Sequence, residues 1–329
     1  MPRTRTARSK SHAAKPPLTV RLAAPRGFCA GVRRAIESVE QALHAYGAPI
    51  YVRHQIVHHP APVAQLAAQG AIFVEELSEV PRGARVVFSA HGVAKSVRAE
   101  ARARDLKVLD ATCPLVTKVH REAEQYWRAG RHILLLGHAG HPEIMGTMGQ
   151  LPSRAISLVE TAAAARRVRP PADMPLALLT QTTLSLDDTH TMREILRRRF
   201  GALEEPAKED ICYATTNRQH AVKALAAECD YMLVVGGAHS SNSQRLLETA
   251  RRAGCSDGAL IGDASALPWA ALARARIVGL SAGASTPEPV VQNVLAALRA
   301  RFTLQLEEQT PRQIERVRFE LPQALRADA

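Results

Sequence analysis

Three cysteines, Cys29, Cys113 and Cys212, constrain this chain more than any other feature. They lie 84 and 99 residues apart, one in each third of the sequence. Each occupies the same local place. An apolar run ends, the cysteine follows, and a helical pattern begins: LTVRLAAPRGFCAGV, KVLDATCPLVTKV and KEDICYATTNRQHAV. A single free cysteine is usually a small core hydrophobe. The same residue at the same strand-to-helix junction three times points instead to three repeats that bring one thiol each to a common centre.

Polar residues follow the thiols at matching intervals. His58 lies 29 residues after Cys29, and His141 lies 28 after Cys113. Ser240 and Ser241 lie 28 and 29 after Cys212. A second polar loop follows a later strand in each third, with His91 at 62 residues, Thr182 at 69 and Ser285 at 73. The offsets drift only by loop lengths, so the chain reads as an internal threefold repeat of about 95 residues. Apolar runs alternate with helical patterns, as in LTVRLAA, PIYVR, ARVVFSA, HILLLG, LALLT, YMLVVGG and RIVGLSA. That alternation predicts an α/β fold with mostly parallel sheets. We expect a basic tail over 1–17, α/β units over 18–112, 113–209 and 210–302, and a C-terminal segment, 303–329. The last packs back on the body and carries one strand-like run, RVRFELP. Ligands of such sheets bind beyond the carboxyl ends of the strands, where all three thiols and the polar loops fall.

Composition removes several classes. With 46% hydrophobic and 22% charged residues the chain is globular and can bury a substantial core. No apolar run reaches the roughly 18 residues of a membrane span, so no membrane partner is expected. The first 17 residues hold five Lys/Arg, no acid and no apolar h-region, which reads as a disordered basic tail rather than a secretory signal. The net charge of +12 suits an acidic protein partner or an anionic substrate. Only 4% of residues are aromatic, and no nucleic-acid-binding signature is present, so no specific nucleic acid is expected. Five widely spaced cysteines suit a reducing compartment, hence a cytoplasmic location. Of the two remaining cysteines, Cys229 reads as helix packing and Cys255 as a loop thiol.

Three distant thiolates suit a metal centre assembled by folding. Zinc is one reading, giving a zinc-dependent hydrolase of a phosphorylated metabolite, though the CxxC pairs of structural zinc sites are absent. An iron–sulfur cluster is the other, since cluster cysteines need no fixed spacing. Three ligands to four irons leave one iron open as a Lewis acid. The loops GAHSSNSQR and SAGAST look made for an anion at a helix N-terminus. His58, His91 and His141 can add donors, while Walker and GxGxxG motifs are absent. Glu143, two residues after His141, is either a proton donor or a first-turn helix acid.

The runs PRGFCAGVRRAIE, YVRHQIVHHP, SAHGV, DATCPLVTKVH, GHAGHPEIMGTMGQ, TQTTLS, DICYATTNRQ, SSNSQR and SAGAST resemble the IspH (LytB) family over about residues 18–325. That family comprises the 4-hydroxy-3-methylbut-2-enyl diphosphate reductases. The resemblance implies a trefoil of three α/β units around a [4Fe-4S] cluster with three cysteine ligands and one open iron. It implies the last step of the methylerythritol phosphate route to isoprenoids. There two electrons and two protons remove the hydroxyl of an allylic diphosphate, held at the open iron, as water. The products are isopentenyl and dimethylallyl diphosphate. A flavodoxin or ferredoxin is the implied electron donor. By the same resemblance Cys29, Cys113 and Cys212 hold the cluster, Glu143 delivers protons and Thr182 neighbours the substrate hydroxyl. His58, His91, His141, Ser240, Asn242 and Ser285 hold the diphosphate, with Ser241 beside them.

Overall fold

A computed structural model describes residues 15–326. The first fourteen residues of the expected basic tail lie outside the described residues. In chain order the first third contains β1 (Pro17–Leu22), α1 (Ala30–Tyr46), β2 (Ile50–Arg53), α2 (Pro60–Ala68), β3 (Ala71–Val74), β4 (Arg85–Phe88), α3 (Lys95–Ala103) and β5 (Lys107–Asp110). The second contains α4 (Pro114–Arg128), β6 (His132–Leu136), α5 (Pro142–Met148), β7 (Ile156–Val159), α6 (Ala162–Arg167), β8 (Leu176–Thr180) and α7 (Leu186–Phe200). The third contains α8 (Tyr213–Ala226), β9 (Tyr231–Val235), α9 (Ser241–Arg252), β10 (Gly258–Ile261), α10 (Trp269–Leu272), β11 (Ile277–Ala282), α11 (Glu288–Arg301) and β12 (Thr303–Glu308).

The strands form three sheets, ordered β3-β2-β4-β5, β7-β6-β8 and β10-β9-β11-β1-β12, and every described pairing is parallel. Strands β6, β8 and β9 are buried at all five positions, as expected of parallel strands with both faces covered. Alternate residues feed different cores. Leu134 and Leu136 join one cluster, Ile133 and Leu135 another. Leu233 and Val235 likewise part from Met232 and Val234. Each fully buried Leu or Ile contributes roughly 2 kcal/mol, so the six clusters hold the sheets without disulfides.

One expected boundary is wrong. Strand β1, read as the start of the first unit, pairs with β11 and β12 in the third sheet, with Val20 facing Val278 and Leu306. Its alternating pattern made it a strand, but no local pattern says which sheet a strand joins. The result is a cyclic exchange. The strand before Cys29 lies in the third sheet, and β5, before Cys113, lies in the first. Glu204, shortly before Cys212, bridges to Ala177 at the edge of the second. Every thiol therefore stands where the chain leaves one sheet and enters the helix of the next unit.

The C-terminal segment also departs from expectation. Its strand is 303–308, the edge strand β12, whereas RVRFELP forms no strand. Residues 309–322 instead run as a strap across α1 and α8. The Arg34 side chain donates from Nε to the Glu320 carbonyl at 2.6 Å. Fully buried Arg218 holds Glu315 at 2.9 Å and donates from Nη2 to the Gly27 carbonyl at 2.8 Å. Breaking a buried ion pair strands its partner in a poorly solvated place. Arg218→Ala should therefore cost about 3 kcal/mol, read as a lower midpoint in chemical denaturation. An unchanged midpoint would show that the strap is held some other way. Cys229 lies just past the end of α8 and packs with Cys255 in one apolar cluster, so the expected loop thiol is a buried core residue.

Candidate active site

All twelve residues singled out from the sequence line one cavity of ≈ 700 Å³. Helix starts put them there. Cys29 and Cys212 cap α1 and α8, each sulfur accepting a backbone N–H at 3.4 Å, from Val32 and Thr215. Cys113 occupies the same cap of α4, with Pro114 in the first turn. The second helix of each third repeats the device. His141 caps α5, Ser240 caps α9, and His58 directly precedes the α2 cap His59. Six helix N-termini thus serve the cavity, and each favours negative charge.

The three thiols are half-buried and line the same cavity. Burial, and then the neighbouring Cys29 sulfur, push Cys113 up to about 12; the same two causes push Cys212 up to about 11. Thiolates persist in such a place only beside a cationic centre, the condition under which metals bind them. Gly31 leaves room between the sulfurs, because a Cβ there would lie 2.8 Å from the Cys113 Sγ and 3.8 Å from the Cys29 Sγ. A set of soft sulfur donors around a side-chain-free position fits an iron–sulfur group. No three Cys, His, Asp or Glu side chains among the described residues are set as ligands of one metal ion, so the fit rests on donor chemistry. Gly31→Ala should leave the fold intact and lower iron bound per chain severalfold. Full iron content in that variant would remove Gly31 from the cradle.

The cavity is also lined by hydrogen-bonding side chains. His58 and His91 stack with centroids 4.1 Å apart, and His141 stands edge-on to them at 5.3 and 5.9 Å. Burial first, and mutual proximity second, hold His91 well below its usual range and His141 at about 3. Burial, with His239 nearby, holds His58 at about 4. The His141 Nδ1 accepts the Glu143 N–H at 3.2 Å, so its neutral ring carries the proton on Nε2. The His58 Nε2 is buried with no partner among the described residues, and such a group calls for a ligand. Ser285 donates to the His58 carbonyl at 3.1 Å, tying the third unit to the first. The Asn242 side chain accepts the Ala284 N–H at 3.0 Å and donates to Thr215 at 3.3 Å. Thr215 in turn meets the Cys212 sulfur at 3.2 Å.

Glu143 is 2% exposed. Its two carboxyl oxygens accept from the Thr182 N–H at 2.6 Å and the Thr182 hydroxyl at 2.9 Å. Burial pushes its pKa up to about 7 against those bonds, with Asp210 adding to the rise. A first-turn helix acid facing solvent would not be so placed. Sequence reasoning missed Thr183, which donates to Ser241 at 3.0 Å, and Thr215. The TT pair in TQTTLS and the third position after Cys212 were the available signals.

The family model described as LytB protein matches residues 20–299. The chain belongs to that family. A 4-hydroxy-3-methylbut-2-enyl diphosphate reductase of Gluconobacter oxydans (strain 621H) is 56% identical over 93% of this chain and 92% of its own length. One of the same description from Phenylobacterium zucineum (strain HLK1) is 56% identical over 94% and 98%. Among solved structures, the E-1-hydroxy-2-methyl-but-2-enyl-4-diphosphate reductase from Plasmodium falciparum superposes with a TM-score of 0.88 at 34% identity, covering 95% of this chain and 97% of that one. An (E)-4-hydroxy-3-methyl-but-2-enyl diphosphate reductase, titled the terminal enzyme of the non-mevalonate pathway, gives 0.59 at 30% identity, covering 86% and 99%.

Proposed function

We propose that this protein reduces (E)-4-hydroxy-3-methylbut-2-enyl diphosphate to isopentenyl and dimethylallyl diphosphate, the last step of the methylerythritol phosphate route. Two electrons and two protons remove the substrate hydroxyl as water. The observation that carries this reading is the meeting of three half-buried thiols, a carboxyl with a pKa of about 7 and a wall of hydrogen-bonding side chains in one cavity. Close relatives bearing the reductase description support it.

Cys29, Cys113 and Cys212 would hold a [4Fe-4S] cluster, with the three units arranged as a trefoil about it. When bound, the cluster supplies the electrons and a Lewis-acidic iron. The chain's own residues do the rest. The diphosphate sits at the starts of α2, α5 and α9, where Ser240, Ser241, Asn242, Ser285 and the backbone amides donate. The neutral histidines His58, His91 and His141 donate through their ring N–H groups, and a nearby anion favours their protonation. Val57, Ala90, Leu115 and Val116 line the same cavity; they cover the hydrocarbon and exclude water. Glu143, protonated below about pH 7, holds the proton needed by the departing hydroxyl, and Thr182 fixes its two oxygens. Free thiols of this kind suit a reducing compartment, which supports a cytoplasmic location. No described helix is long and apolar enough to cross a membrane.

Anaerobic purification tests the reading. The expected product is a brown protein with iron and sulfide bound that releases water from the allylic diphosphate when given electrons. A colourless protein with stoichiometric zinc that cleaves a phosphate ester would establish the hydrolase instead.

A further inference from the structure

The first turn of α1 has two sides. Cys29, Gly31 and Val32 face the thiol cavity. Ala30, Arg33, Arg34 and Glu37 face a second, open groove of ≈ 1430 Å³, whose far wall is the strap residues 315–321. One helical turn is all that separates the groove from Cys29. The Arg33 N–H donates to the Cys29 carbonyl at 3.0 Å, and Ala30 of the groove adjoins Cys29 directly. The groove and the substrate wall lie on opposite sides of that turn, so both can be occupied at once.

The rim is cationic around apolar residues. Arg33, Arg316 and Arg318 are exposed, and none pairs with a carboxylate among the described residues. Beside them Ile314 is 70% and Val317 44% exposed. Of the acids here, Glu315 is held by Arg218 and Glu320 by Arg326, which leaves Glu37 as the exposed counter-charge. Exposed apolar side chains ringed by one sign of charge mark a docking surface for a partner of the other sign.

We propose that this groove docks an acidic one-electron carrier protein and is where electrons enter. The proposal rests on the reductase reading above and goes beyond it by placing the partner. Each encounter oxidises the carrier by one electron, so two encounters supply the pair that, with two protons, releases the hydroxyl as water. The net charge of +12 steers the carrier from a distance, and the Arg33, Arg316 and Arg318 rim sets where it lands.

The test compares two electron sources on the anaerobic, cluster-loaded protein. One is a reduced acidic flavodoxin or ferredoxin, the other dithionite-reduced methyl viologen. The variants are Arg33→Glu, Arg316→Glu and Arg318→Glu, with Arg166→Glu on exposed α6 as an equal charge change elsewhere. Titration calorimetry of the carrier onto each variant reads docking without turnover. For the three groove variants we expect carrier KM and Kd to rise about tenfold or more, and the salt dependence to flatten. Viologen-driven turnover and iron content should stay at wild-type values, and Arg166→Glu should match wild type throughout. Three results would overturn the docking site: unchanged carrier Kd, equal weakening by Arg166→Glu, or matching losses with viologen. Carrier-competitive binding of a short RNA duplex to the same arginines would overturn it too. A wild-type protein inert with viologen refutes the reductase reading separately, while calorimetry still decides the groove.

Discussion

Glu143→Gln should bind its cluster and substrate normally and turn over about 10²–10⁴-fold more slowly, the usual worth of a positioned proton donor. Glutamine is close to isosteric. Its carbonyl can accept the Thr182 N–H and its amide can donate to the Thr182 hydroxyl, so both bonds that orient the side chain survive. What disappears is the acidic proton. The wild-type pH profile should carry the same signature. Burial places the Glu143 pKa at about 7, and in the proposed mechanism the protonated form is the active one. Turnover should therefore fall as pH rises through about 7, and that limb should vanish from the residual activity of the variant. Normal turnover in Glu143→Gln, measured by single-turnover reduction under anaerobic conditions, would remove the residue from the mechanism.

Cys113→Ala should abolish the reaction by a different route. Loss of groups that merely orient metal ligands typically costs 10–100-fold in metal affinity. Loss of a ligand should exceed about 100-fold, leaving iron and sulfide near background and turnover undetectable. Cys229→Ala is the informative contrast. That thiol packs in the cluster formed by Val222, Leu225, Met232 and Cys255, so its removal should lower stability and leave iron content unchanged. Cys113→Ala with full iron, or Cys229→Ala without it, would reverse the assignment of which cysteines matter.

Much of the site was legible because its residues recur at fixed distances from the thiols. The intervals that grouped His58, His141 and Ser240 with their cysteines correspond in the structure to one helix, one strand and the start of the next helix. Apolar runs such as HILLL and YMLVV are buried end to end and could only be covered strands. The limits were equally physical. RVRFELP alternates like a strand but runs unpaired across α1 and α8, because a pattern cannot supply a partner edge. Thr215 offered only its place three residues after Cys212; its importance comes from linking the Cys212 sulfur to Asn242 on another helix.

Sequence alone determined that three thiols lie at three helix starts, each followed by a polar helix cap, since residue periodicity and capping chemistry are local. Tertiary structure alone decided that β1 joins the third sheet, which puts Cys29, like Cys113, at a crossing between units. It also decided the state of Glu143. In sequence that residue was equally a helix-supporting acid, and its raised pKa exists only because folding removes the carboxyl from water, an effect that outweighs the two hydrogen bonds from Thr182.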